Sequence, residues 1–226
     1  MLSLLLTLAI GTVTPVADPI PSAELYPLDV CAVTGKKLGS MGTPINFMHE
    51  GRQVRFCCRG CVPKFKATPD KYLAQIDKKI IAAQKKGYPV NFCLLSREKL
   101  DESAKEVVIK NRLVRLCCLG CARKIKKDSE KVFEELDSEI TKMQSKNYPL
   151  TTCVISGEKL GSMGPAKNVI VGSTLVKLCC KGCVSKVAAD PAKFIEMVNS
   201  AKKSDSPTEG KPSNKGKIKK PATPGK

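Results

Sequence analysis

A lone cysteine followed, after 23 or 25 intervening residues, by Cys-Cys-x-x-Cys occurs three times in this chain, and those sets hold all 12 of its cysteines. The first set is Cys31, Cys57, Cys58 and Cys61. The second is Cys93, Cys117, Cys118 and Cys121, and the third Cys153, Cys179, Cys180 and Cys183. Each unit opens on a Tyr-Pro pair, at Tyr26, Tyr88 and Tyr148, and carries a Lys-Leu pair between its first and second cysteines. Self-similarity at about 60 residues marks a tandem repeat. A unit of that size buries too little surface to be comfortably stable alone. Aromatic residues make up only 4% of the chain and Trp is absent, so metal or disulfide cross-links must supply what the cores lack.

Each unit has the same coarse layout. Apolar-rich runs from Ile45 to His49 and from Gln53 to Cys57 flank Glu50-Gly51, a hairpin signal, with counterpart turns at Lys110-Asn111 and Gly172-Ser173. A helix is expected beyond the last cysteine, punctuated by Thr68-Pro69 and Asp190-Pro191, where a capping residue precedes a first-turn proline. In the second unit Asp128 or Ser129 takes that place. Tyr72, Leu73, Ile76, Ile80 and Ile81 have helical spacing and should pack on the hairpin. The pattern predicts an α+β chain of three small treble-clef or zinc-ribbon-like units, strung as beads over residues 24–87, 88–147 and 148–203.

The flanks differ in kind. Met1 to Val13 is a short apolar stretch, too short to span a bilayer, and it resembles the core of a secretory signal over residues 1–17. Export to a periplasm or to the outside is therefore expected, with no membrane span in the mature chain. Residues 204–226 are rich in Lys, Pro, Ser and Gly without periodicity, a composition that predicts a disordered basic tail. The formal charge is +18, but Lys outnumbers Arg 32 to 7. With few aromatics for stacking, specific nucleic-acid readout has no support. Nonspecific contact with polyanions through the tail is the basic-charge expectation.

Thiolates at a strand–helix junction suit a thiophilic ion, because free helix N–H groups favour the anionic form. Cys58 and Cys61 are three apart and Cys57 and Cys61 four apart, so either pair can converge on one point of a helical turn. Gly60, Gly120 and Gly182 recur just before the last cysteine, as expected for a tight turn or a close approach to the bound atom. Arg55, Arg59, Lys64, Arg115, Arg123 and Lys177 are placed to steady nearby thiolates.

The stretch from Asp29 through DVCAVTGKKLGSMG to RFCCRGCVPKFKATPDKYL resembles the YHS/TRASH group of heavy-metal-binding modules. That resemblance covers nearly all of each unit. It implies that the ligands are the early cysteine and a Cys-x3-Cys pair: Cys31, Cys57 and Cys61, then Cys93, Cys117 and Cys121, then Cys153, Cys179 and Cys183. It also implies heavy-metal sensing or trafficking, with a metal-transport or other exported protein as partner. Cys58, Cys118 and Cys180 depart from that pattern. If the second strand continued through Cys58, alternation would turn that cysteine into the core; if the helix began there, it would supply a fourth ligand. Four thiolates favour structural zinc and three suit copper(I); recurrence of the extra cysteine in every unit favours four.

Competing readings follow from the same residues. Two disulfides per unit would suit an exported chain, although adjacent cysteines disfavour them. Thiol–disulfide exchange lacks the βαβ setting that such chemistry uses, and the sole histidine, His49, has no counterpart in the other units, so no catalysis is expected. Met41 and Met163 occupy matching LGSMG segments, where a thioether would either fill a gap or complete a copper(I) site.

Overall fold

The structure is a computed structural model that describes residues 24–127 and 129–204. The expected signal segment and the tail beyond Ser204 lie outside the described residues. Every unit is a cysteine turn, a two-stranded antiparallel hairpin and a pair of helices. The hairpins are β1 (Ile45–His49) with β2 (Arg52–Phe56), β3 (Lys105–Ile109) with β4 (Arg112–Leu116), and β5 (Lys167–Val171) with β6 (Thr174–Leu178). The helices are α1 (Cys61–Ala67) and α2 (Pro69–Lys85), α3 (Leu119–Lys127) and α4 (Glu130–Ser145), and α5 (Val184–Ala189) and α6 (Pro191–Ser204). A 3₁₀ turn, Lys181–Cys183, leads into α5.

The pairings His49↔Arg52, Ile109↔Arg112 and Val171↔Thr174 leave two-residue turns at the expected places. In the first, Glu50 and Gly51 both take positive φ, 46° and 72°, which matches the twist of the flanking strands. Proline restricts the residue before it to non-helical backbone, so Thr68 at φ −145° and Asp190 at φ −149° split the helical stretch into a short and a long helix. Neither helix α2 nor helix α4 draws a side-chain hydrogen bond from its expected cap, Thr68 or Ser129.

The units are not beads. Ile76 and Ile80 of α2 lie in the first unit's core, as expected, but the same helix also packs on β3 and β4 of the second unit. Helix α4 packs likewise on β5 and β6 of the third. The strands show how this works. Along β5, Val169 and Val171 enter the third unit's core, while Ile170 between them enters the second unit's core together with Leu175. Val108 in β3 does the same toward the first unit, flanked by Val107 and Ile109 facing their own core. Met48, at the equivalent place in β1, is exposed. The period of two that separates strand faces here separates a unit's own core from its neighbour's.

Polar clamps complete the joints. Gln84 donates from Nε2 to the Asn111 carbonyl (3.1 Å) and accepts from the Leu113 N–H at Oε1 (2.9 Å). Gln144 repeats this on Ser173 (2.7 Å) and Leu175 (2.9 Å). The third unit reaches back to the first: Arg55 donates to Asp190 (2.7 Å) and to the Ala189 carbonyl (3.0 Å), and Gln53 donates to the Ala188 carbonyl (3.0 Å). Leu25, at the start of the first unit, is buried in the third unit's core. The three units therefore close into a ring.

Asn111 sits fully buried where these joints meet. Its Nδ2 donates to the carbonyls of Glu24 (2.6 Å) and Gln53 (2.8 Å), and its Oδ1 accepts from Arg52 Nε (3.1 Å). Removing that amide strands two buried partners, Gln53 and Arg52, and a half-buried one, Glu24, and each buried group costs about 1–3 kcal/mol. Asn111→Ala should lower the unfolding free energy by about 3 kcal/mol in urea, with the three units still melting together. A loss under about 1 kcal/mol would show that the units do not lean on one another.

Candidate metal centres

Each centre is assembled from two chain segments. The first is a tight turn after the lone cysteine. Cys31 N–H donates to the Lys36 carbonyl (2.8 Å) and Gly35 N–H to the Cys31 carbonyl (2.9 Å), a pattern repeated at Cys93 with Glu98 and Arg97 and at Cys153 with Glu158 and Gly157. Closing the turn requires positive φ at its fifth residue: 68° at Gly35, 66° at Arg97 and 76° at Gly157. Arginine tolerates that backbone poorly. It is held there by an ion pair with Glu135 and by its guanidinium lying 5.4 Å from the Phe92 ring centre.

The second segment is the junction after the second strand. Strand β2 ends at Phe56, so Cys57 and Cys58 are outside the ladder. Cys57 turns inward and is buried, while Cys58 is half-buried and packs at the edge of the first core. Helix α1 starts at Cys61 and carries that thiol back toward Cys31.

The result is three compact thiol triads. Cys31, Cys57 and Cys61 have their sulfurs within 4.8 Å of one another, as do Cys93, Cys117 and Cys121, and Cys153, Cys179 and Cys183. Cys31 and Cys57 each stand 3.8 Å from Cys61, Cys117 stands 3.7 Å from Cys121, and Cys179 stands 3.8 Å from Cys183. A disulfide brings sulfurs to about 2.05 Å, and all twelve cysteines are free thiols. Thiolates held at about 2.3 Å around one tetrahedral ion stand about 3.8 Å apart, so the donor set fits a thiophilic ion. Cys58 and Cys180 lie 3.7 and 3.8 Å from Cys61 and Cys183, at the solvent edge of their triads, and Cys118 is exposed.

A hydroxyl supports every triad. Thr34 Oγ1 lies 3.5 Å from Cys57 Sγ, Ser96 Oγ 3.2 Å from Cys117 Sγ and Ser156 Oγ 3.3 Å from Cys179 Sγ. The same oxygens accept from the N–H of Lys36, Glu98 and Glu158. That leaves each hydroxyl hydrogen free to be donated to sulfur, the outer-shell contact that orients a ligand. Sequence reasoning passed over these residues, although a hydroxyl stands three places after the lone cysteine in all three units.

These contacts outweigh desolvation. Burial pushes the Cys31 thiol up, but the Thr34 hydroxyl and the N–H groups of Thr34, Cys57 and Val33 pull it down to about 7. Burial likewise opposes Ser96 and neighbouring N–H groups at Cys93, and Ser156 and its neighbours at Cys153, and both end at about 6. Cys183 moves the other way: burial and the surrounding thiols Cys179, Cys180 and Cys153 hold it up at about 12. Each triad thus keeps one ready thiolate beside a thiol that retains its proton.

The cations expected near the thiolates have other surroundings as well. Arg55 is bound to Asp190 and Asn46, Arg115 lies over the Tyr88 ring and Lys177 over the Tyr148 ring, while Arg59, Lys64 and Arg123 are exposed. Met41 and Met163, at 55% and 65% exposure, fill no core. His49 is half-buried rather than exposed, edge-on to Phe65 with ring centres 5.2 Å apart. No described helix is long and apolar enough to cross a membrane. Comparisons with protein families, curated proteins and solved structures found no match to the chain.

A lowered thiol binds fewer protons folded than unfolded, so its stabilisation is complete above the unfolded value of 9.0 and is lost as pH falls through 7 and 6. Thiolate absorbance of the metal-free chain should accordingly begin to rise between about pH 5 and 7. Cys31→Ser, Cys93→Ser and Cys153→Ser together should remove that early step. Titration of all thiols near the free-cysteine range would contradict the assignment.

Proposed function

We propose that this chain binds, buffers or senses a thiophilic metal, zinc or copper(I), at three cysteine centres, one ion per repeat. The observation that carries this is the convergence of three thiols in each unit at ligand spacing. The ligand set implied by the YHS/TRASH resemblance coincides residue for residue with these triads, which supports a heavy-metal role. The cysteines would bring the ion a soft, anionic donor set, and the hydroxyls of Thr34, Ser96 and Ser156 would orient it. Cys58, Cys118 and Cys180 stand where a fourth ligand would complete a closed site.

The chain works without catalysis in this reading, its one histidine being spent on packing against Phe65. The apolar stretch Met1 to Val13 supports export, with metal-transport or other exported proteins as partners, and the lysine-rich tail supports nonspecific polyanion contact.

Native mass spectrometry of the chain purified from its own compartment should find about three metal ions per molecule, and 12 unpaired thiols after chelation. Six disulfides with no metal would sink the proposal. The hydroxyls can be tested separately: Thr34→Val, Ser96→Ala and Ser156→Ala should each weaken zinc binding at their own centre by about 10–100-fold. Competition against a chromophoric chelator measures this, and unchanged affinity would remove the hydroxyls from the site.

A further inference from the structure

Gly60, Gly120 and Gly182 precede the last cysteine in every unit, yet the fold does not call for them. Gly60 has φ −65° and ψ −15°, ordinary right-handed helical backbone that any residue adopts. Gly120 lies within α3 and Gly182 within the 3₁₀ turn, and neither takes positive φ. None of the three therefore needs glycine for its backbone conformation. Crowding does not demand glycine either. A Cβ at Gly60 would meet only Cys58 Sγ at 4.0 Å, one at Gly120 only Cys118 Sγ at 3.5 Å, and one at Gly182 only Cys180 Sγ at 3.9 Å. All three are ordinary van der Waals contacts. Alanine would be accepted at each place and is the better helix former.

The single atom such a methyl would touch is the sulfur of the middle cysteine. That cysteine is also the most solvent-accessible thiol of each set: Cys58 and Cys180 are half-buried among otherwise buried thiols, and Cys118 is exposed beside a half-buried Cys117 and a buried Cys121. Cys58 and Cys180 remain within 3.7 and 3.8 Å of Cys61 and Cys183, so a ligand held there is continuous with the triad.

We infer that Cys58, Cys118 and Cys180 are exchange ligands, through which the metal passes between each triad and an external thiol, and that the glycines keep the approach to them open. The inference rests on the metal-binding reading above. In the transfer step the incoming thiol gives up its proton and bonds to the metal as thiolate. The bond from the metal to the middle cysteine breaks, and that cysteine takes up a proton. The number of thiolates on the ion is unchanged and no electrons move. Access governs such exchange as it governs thiol–disulfide exchange. The second unit, with Cys118 exposed and an exposed Leu119 beside it where the others carry Arg59 and Lys181, is the most open of the three.

The test uses the full chain loaded with zinc. In the Gly60→Ala, Gly120→Ala, Gly182→Ala triple variant, zinc stoichiometry and affinity should be unchanged, while transfer to added thiol should slow by at least about tenfold. Acceptors are glutathione and a Cys-x-x-Cys peptide at equal thiol concentration. Faster transfer to the peptide identifies a protein carrier, and faster transfer to glutathione a free-thiol pool. Limited alkylation of the zinc-loaded wild-type chain needs no variant: Cys58, Cys118 and Cys180 should be modified first, Cys118 soonest. Unchanged transfer in the variant, or triad cysteines alkylated first, would overturn the inference. A wild-type chain that takes up no zinc would instead overturn the metal-binding reading itself.

Discussion

Burial of the second hairpin strand on both faces is the constraint on which the rest depends. In β2 every residue from Arg52 to Phe56 is buried, though three of the five are polar. One face covers the unit's own core; the other is covered by a different unit. Neither cover suffices alone, because a domain of this size leaves too much of its apolar surface exposed. The polar residues are tolerated because each is matched, Gln53 to Ala188 and Tyr26, Arg52 to Asn111 and Asp77, Arg55 to Asp190 and Ala189. An unmatched polar group there would cost more than the strand contributes.

Much of this was legible before any coordinates. The repeat and the turn positions follow from local rules, self-similarity and two-residue turns, while the choice of Cys57 over Cys58 beside Cys61 came from the YHS/TRASH resemblance, because spacing alone left both pairs open. The ring was harder to see because its joints are made by residues that look like surface. Gln84 and Gln144 read as solvent-facing positions late in a helix, and only the facing backbone of Leu113 and Leu175 gives them a role. A signal did exist. Val107-Val108-Ile109 and Val169-Ile170-Val171 are apolar on both faces, whereas Ile45 to His49 alternates and has one exposed face. Continuous apolar strands imply two-sided burial, and two-sided burial in so small a unit implies a neighbour. Arg55 and Arg115, expected near thiolates, also pair with Asp190 and Glu106, and Arg115 lies over the Tyr88 ring, partners that the sequence did not point to.

The middle cysteine shows what sequence periodicity can and cannot decide. Alternation offered two fates, core or fourth ligand, and both assumed that an element continues through Cys58. Neither strand nor helix does: β2 ends at Phe56 and α1 begins at Cys61. The intervening residues turn Cys57 inward and leave Cys58 at the rim, next to the cluster yet open to solvent.

Ring closure and metal chemistry meet in the same few residues. Arg55 is two residues ahead of Cys57, and Asp190 follows directly on the helix that begins just after Cys183. The ion pair between them (2.7 Å) joins the strand that delivers one ligand of the first centre to the helix leading away from the third. Helices α2 and α4 make the corresponding links forward, each running from the last cysteine's short helix to the next unit's hairpin. An ion that fixes the strand–helix junction in one unit thereby fixes a surface on which the next unit packs, and free energy gained at one centre is shared around the ring. Were a metal bound, its binding free energy would also be folding free energy, and the contacts between units would carry it beyond the single repeat.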